Sequence, residues 1–186
     1  MISIIGSWNL SLRVLCERIF LAIAAGNTVV AKVSSSSPIT AFILQTLATE
    51  VAFDPGLLQI IVSDDLEVKK LLVSHPGIRA ISFIGQLENA NTLLGQFKKL
   101  QISTGTKNSA VVLTEPVDSS AKLILSSFLQ GQGQLAWNST RLFILEKYEK
   151  QWVDYISGYL ADLKPSQGIE DSSLWTPCLK KESFTN

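Results

Sequence analysis

The chain has 186 residues, 46% of them apolar and 17% charged, with 16 basic side chains against 16 acidic ones. That length fits one domain with a sizeable core, and the composition excludes a disordered chain, which needs low hydrophobicity and high net charge. Balanced charge, with basic runs no longer than Lys69-Lys70, Lys98-Lys99 and Lys180-Lys181, offers no field to draw nucleic acid or an anionic membrane.

Residues 2–5 read as a short buried strand, and 10–25 as a helix that Gly26-Asn27 closes. Residues 28–33 (TVVAKV) are β-branched and make a second strand. The hydroxyls of residues 34–37 before Pro38 mark a helix start, and that helix runs to about Val51, before the turn Asp54-Pro55-Gly56. A third strand covers 57–62, a short helix 67–73, and a fourth strand 78–84. Residues 88–98 read as a helix and 100–104 as a fifth strand. A sixth apolar run (AVVL, 110–113) precedes a helix over 121–129, a strand over 142–145 and a helix over 148–163. That last helix has Trp152, Tyr155, Ile156 and Leu160 on one side. From Lys164 the pattern fades into a loop-like tail, 164–186.

Strands bounded by turns and separated by helices imply βαβ units and a parallel sheet. Strands that are apolar throughout imply a sheet covered on both faces. The expected fold class is α/β, a Rossmann-like parallel sheet flanked by helices. Cys16 and Cys178 fit neither a metal-ligand spacing nor a disulfide framework, so a reducing cytoplasm is expected and no metal. The apolar run 19–25 is short and flanked by Arg13, Glu17 and Arg18, against a signal peptide or a membrane span.

Gly6-Ser7-Trp8-Asn9-Leu10 and residues 24–32 (AAGNTVVAK) together resemble the P-W-N-F/L and A-A-G-N-T-V-V-x-K signatures of the aldehyde dehydrogenase family. Pro38-Ile39-Thr40-Ala41, Ser74-His75-Pro76, Ile81-Ser82-Phe83-Ile84-Gly85, Gly105-Thr106-Lys107-Asn108 and Gly133-Gln134 follow in family order. The resemblance covers the middle of a family member. It implies a cofactor-binding domain over 1–130, the start of the catalytic-domain segment over 131–163, and either a fragment or a truncated relative.

Family chemistry needs a cysteine thiolate to attack the aldehyde and a glutamate to activate water. The resemblance puts Ala136 in the cysteine's place, with Arg141 five residues on, and Ser103 in the glutamate's. Asn9 matches the asparagine that donates to the developing oxyanion, but it also stands where a helix N-cap belongs, and the cap is the expected role. Arg18 replaces a family lysine and keeps its charge. His75 is expected to be structural, Cys16 a small buried hydrophobe and Cys178 an incidental surface thiol.

By the same resemblance the cofactor is NAD or NADP, with Trp8, Lys32, Ser35, Gly85 and Gln86 as a weak or vestigial site. Lys32 matches the lysine on the adenosine ribose, but Ser35 stands where the family has glutamate. Ser63 replaces a glycine, and the phosphate turn reads Gly85-Gln86-Leu87-Glu88-Asn89-Ala90, so binding is expected to be weak or lost. The expected function is a catalytically inactive relative in assembly or regulation. The alternatives are a fragment or subunit of an NAD(P)-dependent enzyme that oxidises an aldehyde or semialdehyde to the acid, and an orphan fragment. Self-association or another polypeptide partner is expected, near the N-terminal strand or residues 142–163; Trp152, Tyr155 and Tyr159 are either its anchors or pack under the loop-like tail.

Overall fold

The computed structural model describes residues 1–93, 97–105 and 107–163. The expected tail, Cys178, Thr106 and part of the 88–98 helix lie outside the described residues. The chain divides into two compact units, Met1–Thr104 and Gly105–Asn186.

In the first unit the β-branched runs become five strands: β1 (Ile2–Ile5), β2 (Val29–Val33), β3 (Leu58–Val62), β4 (Ala80–Ile84) and β5 (Lys99–Ser103). They form one parallel sheet in the order β3-β2-β1-β4-β5. The connecting helices are α1 (Ser11–Ala24), α2 (Pro38–Glu50), α3 (Leu66–Ser74) and the single turn α4 (Leu87–Ala90). This is the α/β, Rossmann-like architecture expected from the strand and helix pattern.

Side chains alternate across a strand, so neighbours on β1 serve opposite faces. Ile4 packs with Leu15 and Ile19 of α1 and Leu44 of α2. Ile5 joins Leu72 and Val73 of α3, together with Phe83 and Leu93. Burying each such side chain contributes roughly 1.5–3 kcal/mol, which explains why the central strands β1, β2 and β4 are mostly apolar. The edge strand β5 (KLQIS) is largely exposed, so the expectation of a sheet covered on both faces does not extend to it. The chain leaves β1 for β2 and β3, then returns to its other side with β4. That reversal places Gly6 and Gly85 at the carboxyl ends of the two strands that flank the switch, where open α/β sheets take ligands.

The expected C-terminal stop of α1 is present. Gly26 has φ +77° and its N–H donates to Ile23 O at 2.8 Å, while Asn27 N–H donates to Ala22 O at 3.1 Å. Two expectations are corrected. Asn9 does not cap α1: the cap position is Leu10, at φ 44°, with no side-chain cap bond. The Asn9 Oδ1 instead accepts the Ser7 hydroxyl at 2.7 Å. The helix expected over 88–98 is one α turn, α4, followed by a 3₁₀ turn over Asn91–Leu93. Asn89 and Asn91 are poor helix interiors, and the Thr92 hydroxyl donates to Asn89 O at 2.8 Å, so a side chain takes up the backbone carbonyl there.

The second unit carries β6 (Asn108–Val112), α5 (Asp118–Leu129), β7 (Ser139–Ile144) and α6 (Glu149–Ala161). The sixth apolar run does not join the first sheet; β6 pairs in parallel with β7, with α5 as the crossover. Trp152 is fully buried and its Nε1–H donates to Thr114 O at 2.9 Å. Of its two expected roles Trp152 therefore takes the buried one, and it is not available as a surface anchor. Its aromatic edge meets Tyr155, which keeps its hydroxyl on the Asp118 carboxylate at 2.9 Å.

Candidate functional site

Arg18 and Ser103, both set by resemblance in the catalytic region and 85 positions apart in sequence, meet in space. Ser82 on β4 pairs in register with Gln101 on β5, and Ser103 shares their face two residues on. Arg18, from the middle of α1, reaches over these strands. Its Nη1 donates to the Ser82 hydroxyl and to Gln101 Oε1 (2.8 Å), and its Nη2 donates to the Ser103 hydroxyl at 3.0 Å. Ser82 in turn donates to Gln101 at 2.9 Å. Burial pulls the Arg18 pKa below its ordinary value, opposed by the charge of Glu17, but a guanidinium stays protonated regardless. Ser103 thus offers a hydroxyl that already accepts from a cation.

The second cluster lies at the carboxyl ends of β2 and β3. Lys32 is 8% exposed, and its Nζ pairs with Asp64 at 3.0 Å. The other oxygen of Asp64 accepts the Ser34 hydroxyl at 3.0 Å, the Ser35 N–H at 3.1 Å and the Ser35 hydroxyl. Burial alone would raise the Asp64 pKa; the hydrogen bonds from Ser35, Lys32 and Ser34, with the Lys32 charge, outweigh it and hold it at about 2. Lys32 and Ser35 are thus brought together as the sequence implied, around a carboxylate that sequence reasoning missed. The signal was present: Ser63-Asp64-Asp65 follows a parallel strand directly, where acids meet riboses in this fold class. The two acids divide their work, since Asp65 caps α3 by accepting the Glu67 N–H at 2.8 Å.

Lys69 on α3 is also 8% exposed, and its Nζ donates to Asn89 Oδ1 on α4 at 3.0 Å. Burial, then the nearby Lys32 charge, lowers its pKa. Gly85 carries the Phe83 ring so closely that a Cβ would sit 2.8 Å from it. Gln86 is exposed, with its amide oxygen 3.5 Å from Asn89 Nδ2. Trp8 lies half-buried in the turn after β1. His75 ends α3 and takes the Gly77 N–H on Nδ1 at 3.1 Å, in keeping with a structural role. Cys16 is half-buried against the α1 side of the core, where burial pushes its thiol pKa up.

In the second unit, Ala136 follows a tight turn in which Gly131, Gln132 and Gly133 all have φ between 57° and 72°. Glycine tolerates that region, and Gln132 is held there by its neighbours. The carbonyl of Ala136 accepts the Asn108 amide at 2.8 Å. Asn138, 1% exposed, fastens the turn from within by donating to Gln130 O at 2.6 Å and Phe128 O at 3.3 Å. The turn before Ala136 is thus fastened in place, and the side chain at 136 is a methyl group.

The sequence profile of the aldehyde dehydrogenase family matches residues 1–186. The 2-aminomuconic semialdehyde dehydrogenase of Homo sapiens is 33% identical over 146 residues, which are 76% of this chain and 30% of that protein. The Bos taurus protein of the same name is 34% identical over 148 residues, with the same coverage. The chain therefore spans about 30% of the length of these curated relatives. Among solved structures, HpcC from Thermus thermophilus superposes with a TM-score of 0.90 at 25% identity, covering 99% of this chain and 37% of that one. Lactaldehyde dehydrogenase from Escherichia coli gives 0.92 at 18%, covering 99% and 40%.

Proposed function

The chain belongs to the aldehyde dehydrogenase family, and on that premise we propose that it is a catalytically inactive member serving assembly or regulation. The observation that carries this reading is Ala136, where the family's chemistry needs a thiolate to form a covalent adduct with the aldehyde. Ser103 supports it independently, because a hydroxyl accepting from the Arg18 guanidinium is no base for water. Cys16 is no substitute: it sits half-buried on α1, with its pKa raised.

The residues present do not fit a nicotinamide dinucleotide. Ser34 and Ser35 commit their hydroxyl donors to Asp64, Lys32 gives it one of its three N–H donors, and Lys69 bridges α3 to α4. The helix after Gly85 is four residues long, too short to give a pyrophosphate much of a macrodipole. An assembly role is supported by the exposed apolar side chains Ile39, Phe42, Ile43 and Leu47 on α2. The second reading, a subunit of an NAD(P)-dependent enzyme acting on an aldehyde or semialdehyde, is favoured by the names of its semialdehyde dehydrogenase relatives.

Steady-state assays with aliphatic, aromatic and semialdehyde substrates separate the two. No formation of NADH or NADPH is expected; turnover by the wild-type chain would overturn the inactive reading, and turnover that survives Cys16→Ser with Cys178→Ser would overturn the thiol argument as well. Calorimetric titration is expected to give dissociation constants above about 1 mM for NAD and NADP. Micromolar affinity for either would remove the argument from Asp64 and Lys69.

A further inference from the structure

Among the described residues the Arg18 cluster holds a cation without a counter-charge. A guanidinium has five N–H donors; three are engaged, all by neutral acceptors on Ser82, Gln101 and Ser103, and the other two meet no acceptor among the described residues. Arg18 forms no ion pair among the described residues, and the acid that acts on its charge, Glu17, is its exposed neighbour on α1. The Ser103 hydroxyl receives from Arg18 and has no acceptor for its own proton among the described residues. Ser103 is itself exposed at the end of β5 while Arg18 is half-buried, so the cluster is open to solution on one side.

The geometry points to a binding site for a small carboxylate at Arg18 and Ser103. A carboxylate has two oxygens set to accept two N–H bonds from one guanidinium, and the pairing gains strength where water is partly excluded. The Ser103 O–H supplies a third donor to the same anion. Gln101 and Ser82 hold the far side of the guanidinium, which fixes its plane against β4 and β5 before any ligand arrives. The replacement of a carboxylate by Ser103 makes the site possible, since an acid at 103 would neutralise Arg18 itself. The inference stands whether or not the chain turns over aldehydes.

The probe is sodium acetate, titrated into the whole ¹⁵N-labelled chain at fixed ionic strength, with the Arg18 Nε–H and Ser103 amide resonances followed by NMR. The expected result is a saturable shift with a midpoint on the order of 10 mM. Arg18→Gln is expected to weaken it about tenfold or more, and Ser103→Ala by about threefold. Shifts that do not saturate, that chloride reproduces at equal ionic strength, or that Arg18→Gln leaves unchanged would overturn the site. Should Arg18→Gln fail to fold by circular dichroism, Ser103→Ala decides alone: an unchanged midpoint overturns the site, and a weakened one supports it.

Discussion

Trp152→Ala is expected to cost the second unit about 3–5 kcal/mol, the range for deleting a fully buried aromatic side chain. The indole is wholly buried, and its removal leaves both a cavity and a carbonyl, Thr114 O, without its donor. The two losses separate with Trp152→Phe, which keeps most of the apolar area and gives up only the hydrogen bond. That variant is expected to lose about 1–2 kcal/mol. Chemical denaturation followed by near-ultraviolet circular dichroism is the measurement. A cost below about 1 kcal/mol for the alanine variant would mean that Trp152 contributes little to this core.

Asp64→Ala is expected to destabilise the first unit by about 2–3 kcal/mol, because it strands the Lys32 ammonium in a buried position. The wild-type pair carries a pH signature whose sign is fixed. Asp64 has a folded pKa of about 2 against an ordinary 3.8. Its contribution is therefore fully present above about pH 4 and fades as pH falls towards 2. The Asp64 side chain is 43% exposed, so screening holds this acid-dependent part to about 1 kcal/mol. Denaturation midpoints between about pH 2 and 6 check it: the slope in that window is expected to shrink in Asp64→Ala. Asp64→Ala with Lys32→Met should recover part of the loss, and no recovery would place the cost elsewhere than in the stranded charge.

The sheet is legible in the sequence because its signals are local. β-branched runs such as TVVAKV, and turns such as Gly26-Asn27 and Asp54-Pro55-Gly56, act over a few residues, and the observed strands fall on them. Asn9 departs from its expected role because cap preference is a statistical tendency, and here a competing local bond, from Ser7, takes the side chain. In the described part of 88–98 the α-helix gives way after one turn, because apolar spacing says nothing of the hydrogen bond by which Thr92 takes the Asn89 carbonyl. The departures at 103 and 136 can be read from sequence, since a missing carboxylate or thiol is a matter of residue type. What replaces them is out of reach: that Arg18 meets Ser103, or that Asp64 meets Lys32, depends on pairings across 85 and 32 positions. Trp152 shows the same limit, since an amphipathic stripe does not say whether its aromatic faces its own unit or another chain.

The strand order also sets a timetable for the growing chain. Every pairing in both sheets is parallel, so no strand can zip onto the one just before it without a crossover. During synthesis β1, β2 and β3 can close with α1 and α2 between them. One side of β1 then stays open until β4 has been made, because Ile2 lies opposite Ala80 and Ile5 opposite Phe83. Until then the strand destined for the middle of the sheet is an edge, with Ile5 on a face that α3 and α4 have yet to cover. Closing a loop over that distance costs entropy before any contact offsets it. A ribosome that pauses before residue 80 therefore holds the sheet at its most adhesive stage, with its future centre facing outward.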